Sequence, residues 1–170
     1  MLTKTVQAAI NDQIAKEFYA AHLYLSMAAY FEDQNLPGFA AWMRLQNEEE
    51  RAHAMRLFNY LIDAGGRVRL QAMDEPPTDF GGPLEVMKAS LAHEKKVTAS
   101  IRKIYELADK EKDYGTQLHL QWFIGEQQEE EKNVGDVIAQ LELAGDNKVA
   151  LLMIDRELGA RQPEAAAEAD

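Results

Sequence analysis

The sequence contains no cysteine. That excludes a disulfide framework, a zinc ribbon and thiolate chemistry. Helix breakers are also scarce, with five prolines and ten glycines in 170 residues. Four of the prolines and half of the glycines fall within 37–38 and 65–83. No run of eighteen apolar residues occurs, so a membrane span is not expected. The N-terminal Met1-Leu2-Thr3-Lys4-Thr5 leads into an amphipathic pattern and not into an apolar signal core, so a cytoplasmic protein is expected. Basic residues are the minority, 18 against 29 acidic ones, for a net charge of −11. That excess argues against nucleic acid and anionic lipid as partners and suits metal cations.

What is present is ordinary for one globular domain: 46% apolar and 28% charged residues. The breakers divide the chain into five helical segments. The first runs from about Thr5 to Asp33 and stops at Gln34-Asn35-Leu36-Pro37-Gly38. Pro37 is suited to the first position of the second helix, which ends near Ala64 at the Gly65-Gly66 pair. A loop follows to about residue 82, then a third helix from Pro83 to about Lys112. The fourth spans about Tyr114 to Ala144, and a short fifth about Asn147 to Leu158. Residues 1–160 are expected to form one domain, with 161–170 an acidic, disordered tail. No strand-like alternation or fixed-period repeat is visible.

Helices of this length extend about 40 to 45 Å. The eighteen-residue link between the second and third could span about 60 Å, enough to return along a whole helix. The expected fold is therefore all-α: a four-helix bundle with a long crossover between helices 2 and 3, plus a short C-terminal helix.

Writing each long helix at alternating spacings of three and four exposes an anomaly. The first seam reads Val6, Ile10, Gln13, Glu17, Ala20, Tyr24, Met27, Phe31, and the second Phe39, Met43, Gln46, Glu50, His53, Leu57, Tyr60, Ala64. The third reads Leu84, Met87, Leu91, Glu94, Thr98, Ile101, Tyr105, Ala108, and the fourth Leu120, Phe123, Gln127, Glu130, Val134, Val137, Leu141. Every seam is apolar at its ends and polar in the middle. A buried carboxylate without a partner costs several kcal/mol, so a core does not gather four without a purpose. Two divalent cations would neutralise them. Glu50 and His53 are three apart, on one helical face, as are Gln127 and Glu130. One carboxylate from each of two helices and a three-apart pair from each of the other two is the pattern of carboxylate-bridged dinuclear sites. An oxygen-rich, imidazole-poor set favours iron or manganese over structural zinc. Taken alone, Glu50 and His53 would more often lie on a solvated face; the three further glutamates at seam positions argue otherwise. Gln127 could be a ligand or a hydrogen-bond partner of one. Tyr24 could be core filler or a hydroxyl near the metals.

Glu17, the run Glu50-Arg51-Ala52-His53, Glu94 and the run Gln127-Gln128-Glu129-Glu130 together resemble the ferroxidase centre of bacterial non-haem ferritins. The resemblance extends over about the first 158 residues. It implies a first iron held by Glu17, Glu50 and His53, with Glu50 bridging, and a second held by Glu94 and Glu130 with Gln127 close by. It implies a third iron site on the cavity side from Glu49, Glu126, Glu129 and Glu130. Tyr24 and Trp122 match aromatic residues that the family keeps beside the centre, as electron donors when oxygen is reduced. The activity implied is oxidation of Fe(II) by O2 or H2O2, with ferric oxide-hydroxide deposited inside a homo-oligomeric cage of twenty-four subunits. Haem is not expected, because Arg51 stands where haem-binding relatives carry methionine. The absence of cysteine separates the chain from relatives with a four-cysteine iron domain. Three competing classes are a di-iron oxidase with an organic substrate, an assembly subunit without chemistry, and a helical interaction protein with a polar core layer.

Overall fold

A computed structural model describes residues 2–162. The helices are α1 Lys4–Asp33, α2 Pro37–Asp63, α3 Pro83–Lys110, α4 Tyr114–Ala144 and α5 Lys148–Gly159, with no strand among the described residues. Their ends follow from side-chain chemistry. Thr3 caps α1 by accepting from the Val6 N–H, Asp113 caps α4 through the Thr116 N–H, and Asn147 caps α5 through Val149 and Ala150. Pro37 and Pro83 open α2 and α3, where a missing N–H costs nothing. Gly65, with φ of 76°, supplies the left-handed turn after α2.

The crossover can be traced by its partners on α1. The Arg67 N–H donates to Gln7, Arg69 N–H to Asn11, the Gln71 amide to Asp12, and Ser26 to the carbonyl of Pro77. Phe80 then stacks edge-on against Tyr30 at 5.5 Å. The link thus climbs α1 from its first turns to its last. It delivers α3 to the end of the bundle where α2 begins, so α2 and α3 run parallel. The tightest pairings are the hairpins α1–α2 and α3–α4.

The core lies in two apolar clusters. One surrounds Met27, Phe31, Phe39, Met43, Met87 and Val134; the other surrounds Ile10, Ile14, Leu57, Ile101, Leu120 and Phe123. Between them is a layer of buried Gln13, Glu17, Gln46, Glu50, His53, Ser90, Glu94, Gln127 and Glu130. The α1 and α4 seams are buried as the spacing predicts. In α3 the buried positions are Ser90, Val97 and Ile104, whereas the predicted Leu91, Thr98 and Tyr105 are half-buried. Both sets share Met87, Glu94, Ile101 and Ala108. An alternating three-and-four walk has two solutions between such anchors, and Tyr24 selects the one that gives its hydroxyl a partner in Ser90, 2.9 Å away.

Helix α5 folds back on α2. Ile154 and Leu158 enter the core, and Asp155 accepts from the Phe39 N–H at 3.0 Å, satisfying an otherwise orphaned donor in the first turn of α2. Gly38 makes this approach possible: a Cβ there would lie 1.6 Å from the Asp155 carbonyl oxygen. No described helix is long and apolar enough to cross a membrane. Residues 163–170 of the expected tail lie outside the described residues.

Candidate metal centre

Each of the four long helices presents one glutamate to the polar layer. Glu17, Glu50 and Glu94 are 0% exposed and Glu130 is 3% exposed. Carboxylate or imidazole ligand atoms of Glu17, Glu50 and His53 lie within 4.8 Å of one another. His53 Nδ1 stands 3.4 Å from Glu50 Oε2. A second group within the same limit joins His53, Glu126 and Glu130, with Glu126 Oε1 3.9 Å from His53 Nε2. Glu94 stands close enough to Glu50 and Glu130 for its charge to disturb both.

Neutral donors orient three of the carboxylates and leave the fourth bare. Gln13 Nε2 donates to Glu17 Oε1 at 2.8 Å, and Gln46 Nε2 to Glu130 Oε2 at 2.8 Å. Glu94 accepts from the Tyr24 hydroxyl on one oxygen and from Gln127 Nε2 at 3.0 Å on the other. Glu50 has no hydrogen-bond partner on either buried oxygen, and Glu17 none on Oε2. Three orphaned oxygens on two neighbouring carboxylates are costly unless protons or cations sit among them.

The electrostatics express that cost. Burial, then the charge of Glu50, raises the Glu17 pKa well above the usual carboxylate range, partly countered by His53. Burial, then Glu94 and Glu130, does the same to Glu50. Glu130 is pushed up to about 8, by burial first and Glu94 second. Burial raises Glu94 too, against the bonds from Tyr24 and Gln127. Burial and the Glu94 charge raise the Tyr24 phenol, which keeps its proton and donates a hydrogen bond to that carboxylate. The chemistry of this donor set fits hard divalent cations bound mainly by oxygen.

The chain matches the model of the Ferritin-like domain over residues 7–144. This chain belongs to the ferritin family. It is 40% identical over 161 residues to the bacterial non-heme ferritin of Staphylococcus aureus strain USA300, covering 95% of this chain and 97% of that protein. To the bacterial non-heme ferritin of Bacteroides fragilis strain 638R it is 38% identical, covering 95% and 100%. Among solved structures, the open pore ferritin of the archaeon Archaeoglobus fulgidus superposes with a TM-score of 0.94 at 44% identity, covering 95% of this chain and all of that one. An engineered closed form of that ferritin gives the same TM-score at 43% identity, covering 95% and 99%.

In this ferritin the residues singled out from sequence fall into distinct surroundings. Glu17, Glu50, His53, Glu94, Gln127 and Glu130 share one buried layer, with Tyr24 at its edge. Gln127 stands as a hydrogen-bond donor to Glu94. Trp122 meets His53 edge-on at 5.3 Å. The four acids that the resemblance assigns to a third site are less united. Glu126 joins His53 and Glu130, Glu129 is exposed, and Glu49 is ion-paired with Arg161 at 3.0 Å. Gln13, Gln46 and Ser90 are partners to which sequence reasoning assigned no role; the first two were visible as polar residues in the seams. A cavity of about 190 Å³ between α3 and α4 is lined by Gln127 together with Thr98 and Glu131, which are hydrogen-bonded at 2.6 Å.

Proposed function

We propose that this ferritin stores iron by oxidising Fe(II) at a dinuclear centre inside each subunit. The observation that carries the reading is the Glu50 carboxylate, fully buried beside Glu17, Glu94, Glu130 and His53 with no neutral donor on either oxygen. Glu17, Glu50 and His53 bind the first iron; Glu94 and Glu130 bind the second; Glu50, between the groups, serves both. Gln13, Gln46 and Gln127 hold single oxygens of Glu17, Glu130 and Glu94, leaving the others for metal. Each Fe(II) gives one electron to O2 or H2O2, and a preorganised anionic shell favours the higher charge of Fe(III). Tyr24, bonded to Glu94, and Trp122, against His53, are placed to supply further electrons. Glu49, Glu126 and Glu129, with Glu130, form the third, weaker site on the way to the mineral.

Storage requires an enclosed volume; membership of the ferritin family suggests a homo-oligomeric cage of twenty-four subunits, and α5 supports contact between copies of the chain. Its inner face is buried, yet Val149, Leu152 and Met153 are 68%, 51% and 67% exposed beside Leu143 at 91%. An apolar surface of that kind suits burial against a further copy of the chain. The test is stopped-flow oxidation of Fe(II) by dissolved oxygen. Glu50→Ala should lose the fast phase; an unchanged initial rate would remove the dinuclear assignment.

A further inference from the structure

Arg161 follows α5 by two residues and reaches back across α2. Its Nη1 donates to Gln46 Oε1, and its Nη2 lies 3.0 and 3.2 Å from the two oxygens of Glu49. The guanidinium carbon sits 5.4 Å from the centroid of the Trp42 ring. Both partners are largely shielded, with side chains 18% and 15% exposed, so solvent screens this pair less than a surface pair. Gln46 in turn donates to Glu130. One amide therefore links Arg161 to a carboxylate of the dinuclear layer.

The position of Arg161 is built into the fold. Asp155 anchors α5 to the Phe39 N–H, and Gly38 and Gly159 pass so closely that a Cβ on Gly159 would lie 3.1 Å from Gly38 Cα. The end of α5 is thereby fixed against the first turn of α2, and from there the Arg161 side chain reaches on to Gln46 and Glu49. Arginine keeps its charge at every physiological pH, so it stays a cation beside Glu49.

We propose that Arg161 is the resident counterion of Glu49, which any metal binding there must displace, so that the segment following α5 weakens the third site. The inference rests on the proposed third site and adds what regulates it. A guanidinium on both Glu49 oxygens removes that carboxylate from metal and repels an incoming cation. Iron that does bind is then held loosely enough to move on. Displacement would also release Gln46, so occupancy at Glu49 is felt at Glu130.

Terbium(III), a carboxylate-seeking ion without redox chemistry here, tests this by luminescence titration of the metal-free assembled protein. Arg161→Gln should tighten the weakest class of sites by at least about tenfold. Arg161→Lys, which keeps the charge, should stay within a few-fold of wild type. Glu49→Gln should abolish that class in either background. If Glu49→Gln removes the class but Arg161→Gln leaves its affinity unchanged or weaker, the counterion role is overturned and the third site stands. If Glu49→Gln changes nothing in wild type, the third site fails and the Arg161 proposal with it. A change in the tight sites of Arg161→Gln equal to that in the weak one would mark a structural effect and overturn the proposal.

Discussion

Replacing Glu50 with glutamine should stabilise the metal-free protein. In the unfolded chain this carboxyl titrates near its usual value of 4.5. In the folded protein, burial and the charges of Glu94 and Glu130 push it well above that. At pH 8 the folded chain must therefore either keep a buried charge with no neutral hydrogen-bond donor or take up a proton against the solution. The proton route costs 1.36 kcal/mol per pH unit, so its ceiling is about 5 kcal/mol at pH 8. Glutamine removes that cost and offers two N–H donors to the facing oxygen of Glu17, left without a partner. Neighbouring carboxylates already share part of the strain, so a gain of about 3 kcal/mol is expected. For a chain of this size that is a rise in Tm of about 6 to 12 °C. The assay is differential scanning calorimetry of the chelator-stripped protein at fixed concentration, at pH 8 and at pH 5.5. The gain should shrink at the lower pH, where less work is needed to neutralise Glu50. The reasoning is refuted if the variant melts below wild type at pH 8, or if its advantage is independent of pH.

Other consequences follow from the same layer and from α5. The raised pKa values of Glu17, Glu50, Glu94 and Glu130 mean that the folded state holds protons more tightly than the unfolded state. Their contribution to stability is complete below the unfolded value of 4.5 and is lost as pH rises through each raised folded value, which for Glu130 is about 8. The Tm of metal-free protein should therefore fall between pH 5.5 and 8.5, and two equivalents of zinc per chain should flatten the slope; a rising Tm would contradict the burial argument. Gly38→Ala forces a methyl group into the Asp155 carbonyl and should cost about 2 to 4 kcal/mol by overpacking and loss of the cap on Phe39. Calorimetry reads that cost, and size-exclusion chromatography shows whether assembly depends on the seating of α5.

The helix ends and the polar layer were legible because their causes are local. Pro37, Gly65, Pro83 and Gly145 mark boundaries in the sequence and stand at helix ends in the structure. A three-and-four spacing reports which face of a helix is buried, so Glu17, Glu50, Glu94 and Glu130 could be found inside from the pattern alone. The same spacing does not say where a side chain points or what meets it. Ser90 was passed over in favour of Leu91, because hydrophobicity outweighs a hydroxyl in the pattern and Tyr24 lies 66 residues away. Arg161 was assigned to the tail, and its partner Gln46 is 115 residues distant. Glu49 and Glu129 read alike as members of acidic runs, yet one is ion-paired and the other exposed. Such differences arise from tertiary contacts that no window of sequence contains.

A dinuclear site feeding a store should reveal itself when metal-free protein is loaded with Fe(II) under anaerobic conditions and mixed with air-saturated buffer. Ferric absorbance should show a fast phase saturating at about two irons per chain, as the four-carboxylate layer requires, followed by slower growth of a soluble core. A fast phase without a core, with precipitation beyond it, would leave the site but contradict storage. No fast phase at all would contradict the account at its base.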